Sequence, residues 1–373
     1  MRVLCYNQGA AKAGMLGAAS FDAALAASLE DAGDLRLERL TAEPSSPAQR
    51  LAQRPWPWLG ALDLDLHTPR WHLVESAKAR RSVLASLERS GDPDVLLVNT
   101  QSVSFRLGDV MRRIPTVLSV DVPVKAWHDM GIWRRPRRYS DRLLASSIRA
   151  ETDALGDAAL VLAWSRWAAE QVQRQQPRAN VAHHHPGIDT TYYRPAERRP
   201  RRRPAVLFIG GRFKPKGGAL LVEALAPSLG TDLDLHVVTG EALAERPGLV
   251  QHRLGPGDPA LLDLLQQCDL LCLPTRGDAS PWVILEAMAC GTPVLASAVG
   301  AIPEMLAGGA GELCSNSDVR DLRHQVMAVL AHADRRRDLA DQGLAQVHAR
   351  YNAQRQGAVL GDLLRSCART GRR

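Results

Sequence analysis

Leu273–Glu304 reads LPTRGDASPWVILEAMACGTPVLASAVGAIPE. An apolar run over Leu270–Pro274 leads into it, and a polar turn containing Gly277 and Asp278 follows. Ser280–Pro281 then opens a helix. Ser280 is the expected cap, and Pro281 in the first turn has its φ already set for a helix and no N–H to lose. The apolar WVILEAMA runs to a Cys290–Gly291–Thr292–Pro293 turn, which hands over to a second apolar run, Pro293–Ser297. Strand, helix and strand over roughly thirty residues form one crossover unit, which places its two strands parallel.

The same alternation continues outward. Ala205–Ile209 and Leu233–Thr239 precede the crossover, and long helices follow from about Val319. Toward the N-terminus, Val3–Tyr6 (in a first strand over Arg2–Tyr6), Val95–Asn99, Thr116–Val120 and Leu160–Trp164 read as buried strands followed by turn residues. Ser165 is placed to cap a helix over Arg166–Gln175 by accepting from its first free amides. The run Arg194–Pro204 holds three Pro, six Arg and no apolar period, so it marks the boundary. The expected class is α/β, with two Rossmann-like domains facing across a cleft and C-terminal helices closing the chain. The expected divisions are 1–194, a basic connector over 195–204, 205–350, and a helix over 351–373 packing back toward the N-terminal domain. Ligands of such open sheets lie outside the carboxyl ends of the strands.

The 373 residues are enough for two cores, and 45 % apolar with 23 % charged residues is ordinary for soluble domains. No window approaches the roughly 18 uninterrupted apolar residues of a membrane span. Asn7, Gln8 and Lys12 interrupt the Ala-rich start, so it reads as a strand and not as an export signal. The six cysteines are scattered. Cys268 and Cys272 lie in apolar surroundings without a His or Cys partner nearby, which reads as buried thiols of a reducing, cytoplasmic compartment and not as a metal site. Of the net charge of +7, residues 1–196 carry +4, residues 197–203 (ERRPRRR) carry +4, and the remainder carries −1. Such an excess suits a phosphate-bearing ligand or an anionic membrane, and equally a solvated Arg-rich linker. Aromatic stacking phrases and groove-reading motifs are missing, so no nucleic-acid partner is expected.

Two stretches carry chemistry. Leu207–Gly218, LFIGGRFKPKGG, runs from a strand through Gly210–Gly211 to Arg212, Lys214 and Lys216 and opens a helix at Gly217–Gly218. Glycines admit close backbone approach, and cations at a helix start suit a diphosphate. A tight strand–helix connection would also look like this, although three cations in five residues favour the ligand. In the second stretch, Asp278 lies in the loop after a strand and Glu286 about a turn into the following helix. A buried carboxylate there can hold a ribose diol, while two ordinary acids favouring the helix dipole are the plain alternative.

PTRGDASPWVILEAMACGTPVLASAVGAIPE resembles the donor-site segment of the family-four retaining glycosyltransferases, which have the two-domain GT-B fold. That family shows Glu, seven residues, Glu, then Ala-Met-Ala-x-Gly-x-Pro-Val. This chain has Glu286–Ala–Met–Ala–Cys–Gly–Thr–Pro–Val, with Asp278 in place of the usual first Glu. LFIGGRFKPKGGALLVEAL is similar to the family's diphosphate-binding segment. His183–Pro186–Gly187–Ile188–Asp189 and Val161–Ser165 match further family phrases. The resemblance is dense over residues 160–350 and thin over the first 120.

The resemblance implies that Gly210 and Gly211 approach the donor, that Arg212 and Lys216 pair with its diphosphate, and that Glu286 takes the ribose hydroxyls. Asp278 would contact the sugar ring, and Ala279, Ser280, Pro281 and Trp282 would present backbone amides. Arg212, Lys216, Asp278 and Asp121 are the candidate catalytic residues. On the acceptor side the family has a Gly-Gly loop after its first strand, where this chain has Gly9, Gly14 and Gly17. It also often has a His after a central strand, where this chain has Asp121, with His128 seven residues on. His183–His185 cannot all face one way on a strand, which argues against a triple metal ligand. Trp127, Trp133 and the basic run Arg134–Arg138 suit either a headgroup interface or a solvated surface.

The expected activity is transfer of a sugar from a nucleotide-sugar co-substrate to an acceptor hydroxyl, with retention and without metal or other cofactor. The acceptor class (glycan, lipid-linked or small molecule) stays open, as does a peripheral contact with the inner face of the membrane. The rival readings are a sugar-nucleotide epimerase and a non-catalytic sugar-nucleotide sensor or partner subunit of the same fold.

Overall fold

The computed structural model describes residues 1–7, 35–41, 44–56, 66–131 and 138–370. The chain divides into two compact units. Unit 1 comprises Met1–Pro186 with Gln354–Arg373, and unit 2 comprises Gly187–Ala353. Each is a parallel six-stranded sheet with helices between its strands.

In unit 1 the elements run β1 (Arg2–Asn7), β2 (Arg36–Thr41), α1 (Pro47–Ala52), α2 (His67–Ser90), β3 (Val95–Asn99), α3 (Gly108–Met111) and β4 (Thr116–Val120). They continue through α4 (Val124–Asp129), α5 (Arg138–Asp157), β5 (Leu160–Ala163), α6 (Arg166–Gln175) and β6 (Val181–His183). The sheet order is β2-β1-β3-β4-β5-β6, all parallel. β1, β3, β4 and β5 are buried almost throughout, which is why they read as continuous apolar runs instead of alternating ones. Ser165 caps α6 as its sequence predicts, accepting from Ala168 N at 2.9 Å.

Unit 2 runs β7 (Ala205–Ile209), α7 (Gly218–Leu225), β8 (Asp234–Val238), β9 (Leu249–His252), α8 (Pro259–Gln267), β10 (Leu270–Leu273) and α9 (Trp282–Ala289). Then come β11 (Val294–Ser297), α10 (Ile302–Met305), β12 (Glu312–Cys314), α11 (Val319–Ala331), α12 (Ala333–Gln346) and, returning to unit 1, α13 (Ala353–Thr370). The sheet order is β12-β11-β10-β7-β8-β9. The chain therefore leaves β7 in one direction through β8 and β9, then restarts on its other side with β10. That reversal opens a crevice at the carboxyl ends of β7 and β10, the usual ligand position in such sheets. All six cysteines are free and buried.

Two local expectations change. Pro281, not Ser280, is the cap residue of α9, and no side chain caps that helix. Ser280 stands one position too early for its hydroxyl to reach the second and third helical amides. The Pro/Arg stretch over 194–204 lies inside unit 2. Its arginines are fastened to that unit: Arg199 to Asp263, Arg203 to Asp234 at 3.0 Å, and Arg198 to Gly291 O at 3.0 Å. Proline and charge imply a free linker only where no acids face them, and here α8 and β8 supply those acids.

Candidate functional site

The loops after β7 and β10 meet at the reversal point of the second sheet. Gly210 extends β7 by donating its N–H to Val238 O at 3.0 Å, and Gly211 and Arg212 follow on the exposed rim. Phe213 N donates to Glu241 Oε1 at 2.8 Å and Arg276 N to Pro215 O at 3.1 Å, so the β7 loop is tied to both the β8 and β10 loops. Gly217 precedes α7 with φ +86°, and a Cβ there would lie 2.0 Å from Pro274 O. Only glycine permits that approach of the two loops.

Lys216 reaches across the crevice and donates to Asp278 Oδ2. Asp278 is held from behind by Gly300, whose φ is +56° and where a Cβ would be 2.1 Å from Asp278 O. Ala301 N donates to Ala279 O at 2.8 Å, closing the same loop. Ser280 is 4 % exposed and its Oγ makes no hydrogen bond. Pro281 and Trp282 begin α9, and Glu286 sits one turn further on. The Glu286 carboxyl accepts from Tyr193 Oη at 3.3 Å. Burial pushes it up to about 7, opposed by that hydrogen bond. Tyr193 is raised in turn, by burial first and then by the Glu286 charge. Partial burial lowers Arg212, opposed by the charge of Glu241, and the guanidinium stays a cation.

The structure thus gathers Gly210, Gly211, Arg212, Lys216, Asp278, Ala279, Ser280, Pro281, Trp282 and Glu286 on one sheet edge. Asp121 lies in unit 1, just after β4. His128 belongs to the helix beyond it and pairs with Asp141 at 2.7 Å. Gly9, Gly14, Gly17, Trp133 and the side chains of Arg134–Arg138 lie outside the described residues. Of the three histidines, His184 Nε2 donates to Gln356 O at 2.9 Å and His185 packs on Trp164 with ring centroids 6.0 Å apart. Burial lowers both of these, so they are neutral core residues. Among the described residues no group of three or more His, Cys, Asp or Glu side chains could hold a metal ion. No helix there is long and apolar enough to cross a membrane.

Three features had no signature in the sequence. Tyr193 covers Glu286 from 93 residues away. Thr100, after β3, has φ +76°, a costly conformation for a β-branched residue and one that concentrates at functional loops. Glu151 is fully buried in unit 1. It accepts from Gln101 Nε2 at 2.8 Å, Gln175 Nε2 at 2.8 Å and Val124 N at 2.9 Å, pinning the loops after β3 and β4.

Residues 203–332 match the family model of the group 1 glycosyl transferases. A D-inositol 3-phosphate glycosyltransferase of Geodermatophilus obscurus is 34 % identical over 44 % of this chain and 42 % of its own length. Another, of Catenulispora acidiphila, is 29 % identical over 62 % of each chain. An MMP alpha-(1->4)-mannosyltransferase of Mycolicibacterium hassiacum is 31 % identical over 42 % of this chain and 41 % of its own. The chain thus matches under two thirds of the length of these curated relatives. Among solved structures, sucrose-phosphate synthase of Thermosynechococcus elongatus superposes with TM-score 0.75 at 18 % identity, covering 98 % of each chain. Anabaena HepE, solved in complex with UDP-glucose, gives 0.66 at 18 % identity over 98 % of this chain and all of its own. At such identities these two speak for the fold alone, which is GT-B, with two parallel-sheet domains.

Proposed function

We propose, from the match of residues 203–332 to the group 1 glycosyl transferases, that this chain transfers a sugar from a nucleotide-sugar donor to an acceptor hydroxyl, retaining the anomeric configuration and needing no metal. The observation that carries this reading is the meeting of Arg212, Lys216, Asp278 and Glu286 where the sheet order of unit 2 reverses. Two cations on the β7 loop match a diphosphate. A carboxylate one turn into α9 matches the paired hydroxyls of a ribose. The loop at Asp278–Ser280 lies between them and faces the sugar.

In this reading the leaving nucleoside diphosphate gains negative charge as the glycosidic bond breaks, and Arg212, Lys216 and the start of α9 stabilise it. Fixed cations and amides need no reorganisation at that moment, so they lower the barrier more than the same groups in water. The acceptor oxygen attacks from the side the leaving group departs, and its proton passes to the departing phosphate.

A panel of nucleotide sugars, followed for slow hydrolysis and released nucleotide in the presence of chelator, tests the activity. Glu286→Ala tests the site. Loss of a hydrogen bond to a charged group costs about 1.5–3 kcal/mol, or roughly ten- to a hundredfold in nucleoside diphosphate affinity. Unchanged calorimetric affinity in a folded Glu286→Ala protein overturns the donor site, and a strict manganese requirement for binding removes the metal-free mechanism.

A further inference from the structure

Lys216 and Asp278, which the donor reading assigns to different parts of one ligand, are bonded to each other. Lys216 Nζ donates to Asp278 Oδ2, and the two side chains are 20 % and 14 % exposed. The pair joins the β7 loop to the β10 loop across 62 residues of sequence. Neither loop can retreat easily. Gly217 lies under Pro274 O, and Gly300 lies under Asp278 O, both without room for a Cβ. A change of partner must therefore come from side-chain rotation, and lysine, a point charge on a flexible stem with three donors, is suited to that.

A carboxylate and a phosphate oxygen are alternative acceptors for the same ammonium. Leaving a cation unpaired at such low exposure is costly, because solvent no longer screens it. We infer that Asp278 competes with the donor diphosphate for Lys216: it yields the lysine when the nucleotide binds and recaptures it as the nucleoside diphosphate departs. This rests on the donor site proposed above and adds to it a role in ligand exchange. Asp278 thereby weakens binding of the free nucleoside diphosphate and speeds its release, while its carboxylate, once freed from Lys216, can turn to the sugar. The sign is opposite to that of a residue that only contacts ligand or only supports the loop, since removal of either kind loosens binding or leaves it alone.

The test uses the full chain. UDP, GDP and ADP are titrated calorimetrically, and the tightest binder is carried forward beside inorganic pyrophosphate, which reports on the diphosphate contacts alone. Asp278→Asn should tighten both by roughly three- to tenfold, the worth of a partly screened ion pair. It should slow dissociation of the nucleotide in stopped flow. Adding Lys216→Ala should abolish that gain, because no cation is left to release. Asp278→Glu keeps the charge and should show no gain. Asp278→Ser is measured in parallel, so that one poorly folded variant does not decide the result. Weaker or unchanged affinity in folded Asp278→Asn and Asp278→Ser, with Glu286→Ala weakening binding as expected, overturns the competition and leaves the donor site standing. No loss in Glu286→Ala overturns the donor site itself, and the competition with it.

Discussion

Glu151 in unit 1 and Glu286 in unit 2 are pushed up to about 7 by the same cause, burial of a carboxyl that water would otherwise keep ionised. Their surroundings differ in what is left over. Glu151 has both oxygens occupied: two Gln side chains and the Val124 amide donate to it. Glu286 accepts from the Tyr193 hydroxyl on one oxygen, at the longer distance of 3.3 Å. A raised carboxyl is therefore not by itself a mark of function. The saturated one holds two loops together, and the other keeps acceptor capacity unspent.

The largest effect expected from this contrast is on stability. Glu151→Ala strands two amide side chains and a helix-start N–H without an acceptor, which costs about 3–5 kcal/mol as in other broken buried networks. Glu286→Ala removes one hydrogen bond and should cost about 1 kcal/mol or less. Urea denaturation of the two variants measures the difference. Equal losses would mean that Glu286 is as structural as Glu151.

A second, smaller effect depends on pH. A carboxyl raised from about 4.5 to about 7 binds its proton more tightly folded than unfolded. The stability it contributes is full below pH about 4.5 and is lost as pH rises to about 7, by on the order of 2–3 kcal/mol per group. Glu151→Gln and Glu286→Gln should each flatten the fall in stability between pH 5 and 8. If the Gln variants keep the wild-type slope, the carboxyls titrate normally and the comparison loses its starting point.

The smallest effect concerns Ser280, whose buried Oγ makes no hydrogen bond. Ser280→Ala should leave the melting temperature unchanged or slightly higher, because no protein partner is lost. A ligand contact would show instead as a severalfold loss of nucleoside diphosphate affinity, about 1 kcal/mol. If the melting temperature drops clearly, the hydroxyl has a protein role that the geometry does not contain.

Much of the molecule follows from the chain read locally. Continuous apolar runs gave the buried strands, because a parallel sheet covered on both faces needs no polar side. Ser165 capped its helix as expected, since capping reaches only two or three residues along the chain. Gly210–Lys216 and Asp278–Glu286 were visible as chemistry because each lies in one loop or one helix start. Tertiary structure decided the rest. Strand order β12-β11-β10-β7-β8-β9 is what brings those two segments to one edge, and no local pattern encodes which strands become neighbours. It also joined Lys216 to Asp278, fastened the connector arginines to Asp234 and Asp263, and filled Glu151 from three other segments. Periodicity and capping act within a turn or two of backbone. Charge pairing and saturation of a buried carboxylate depend on which distant segments the sheet order places side by side.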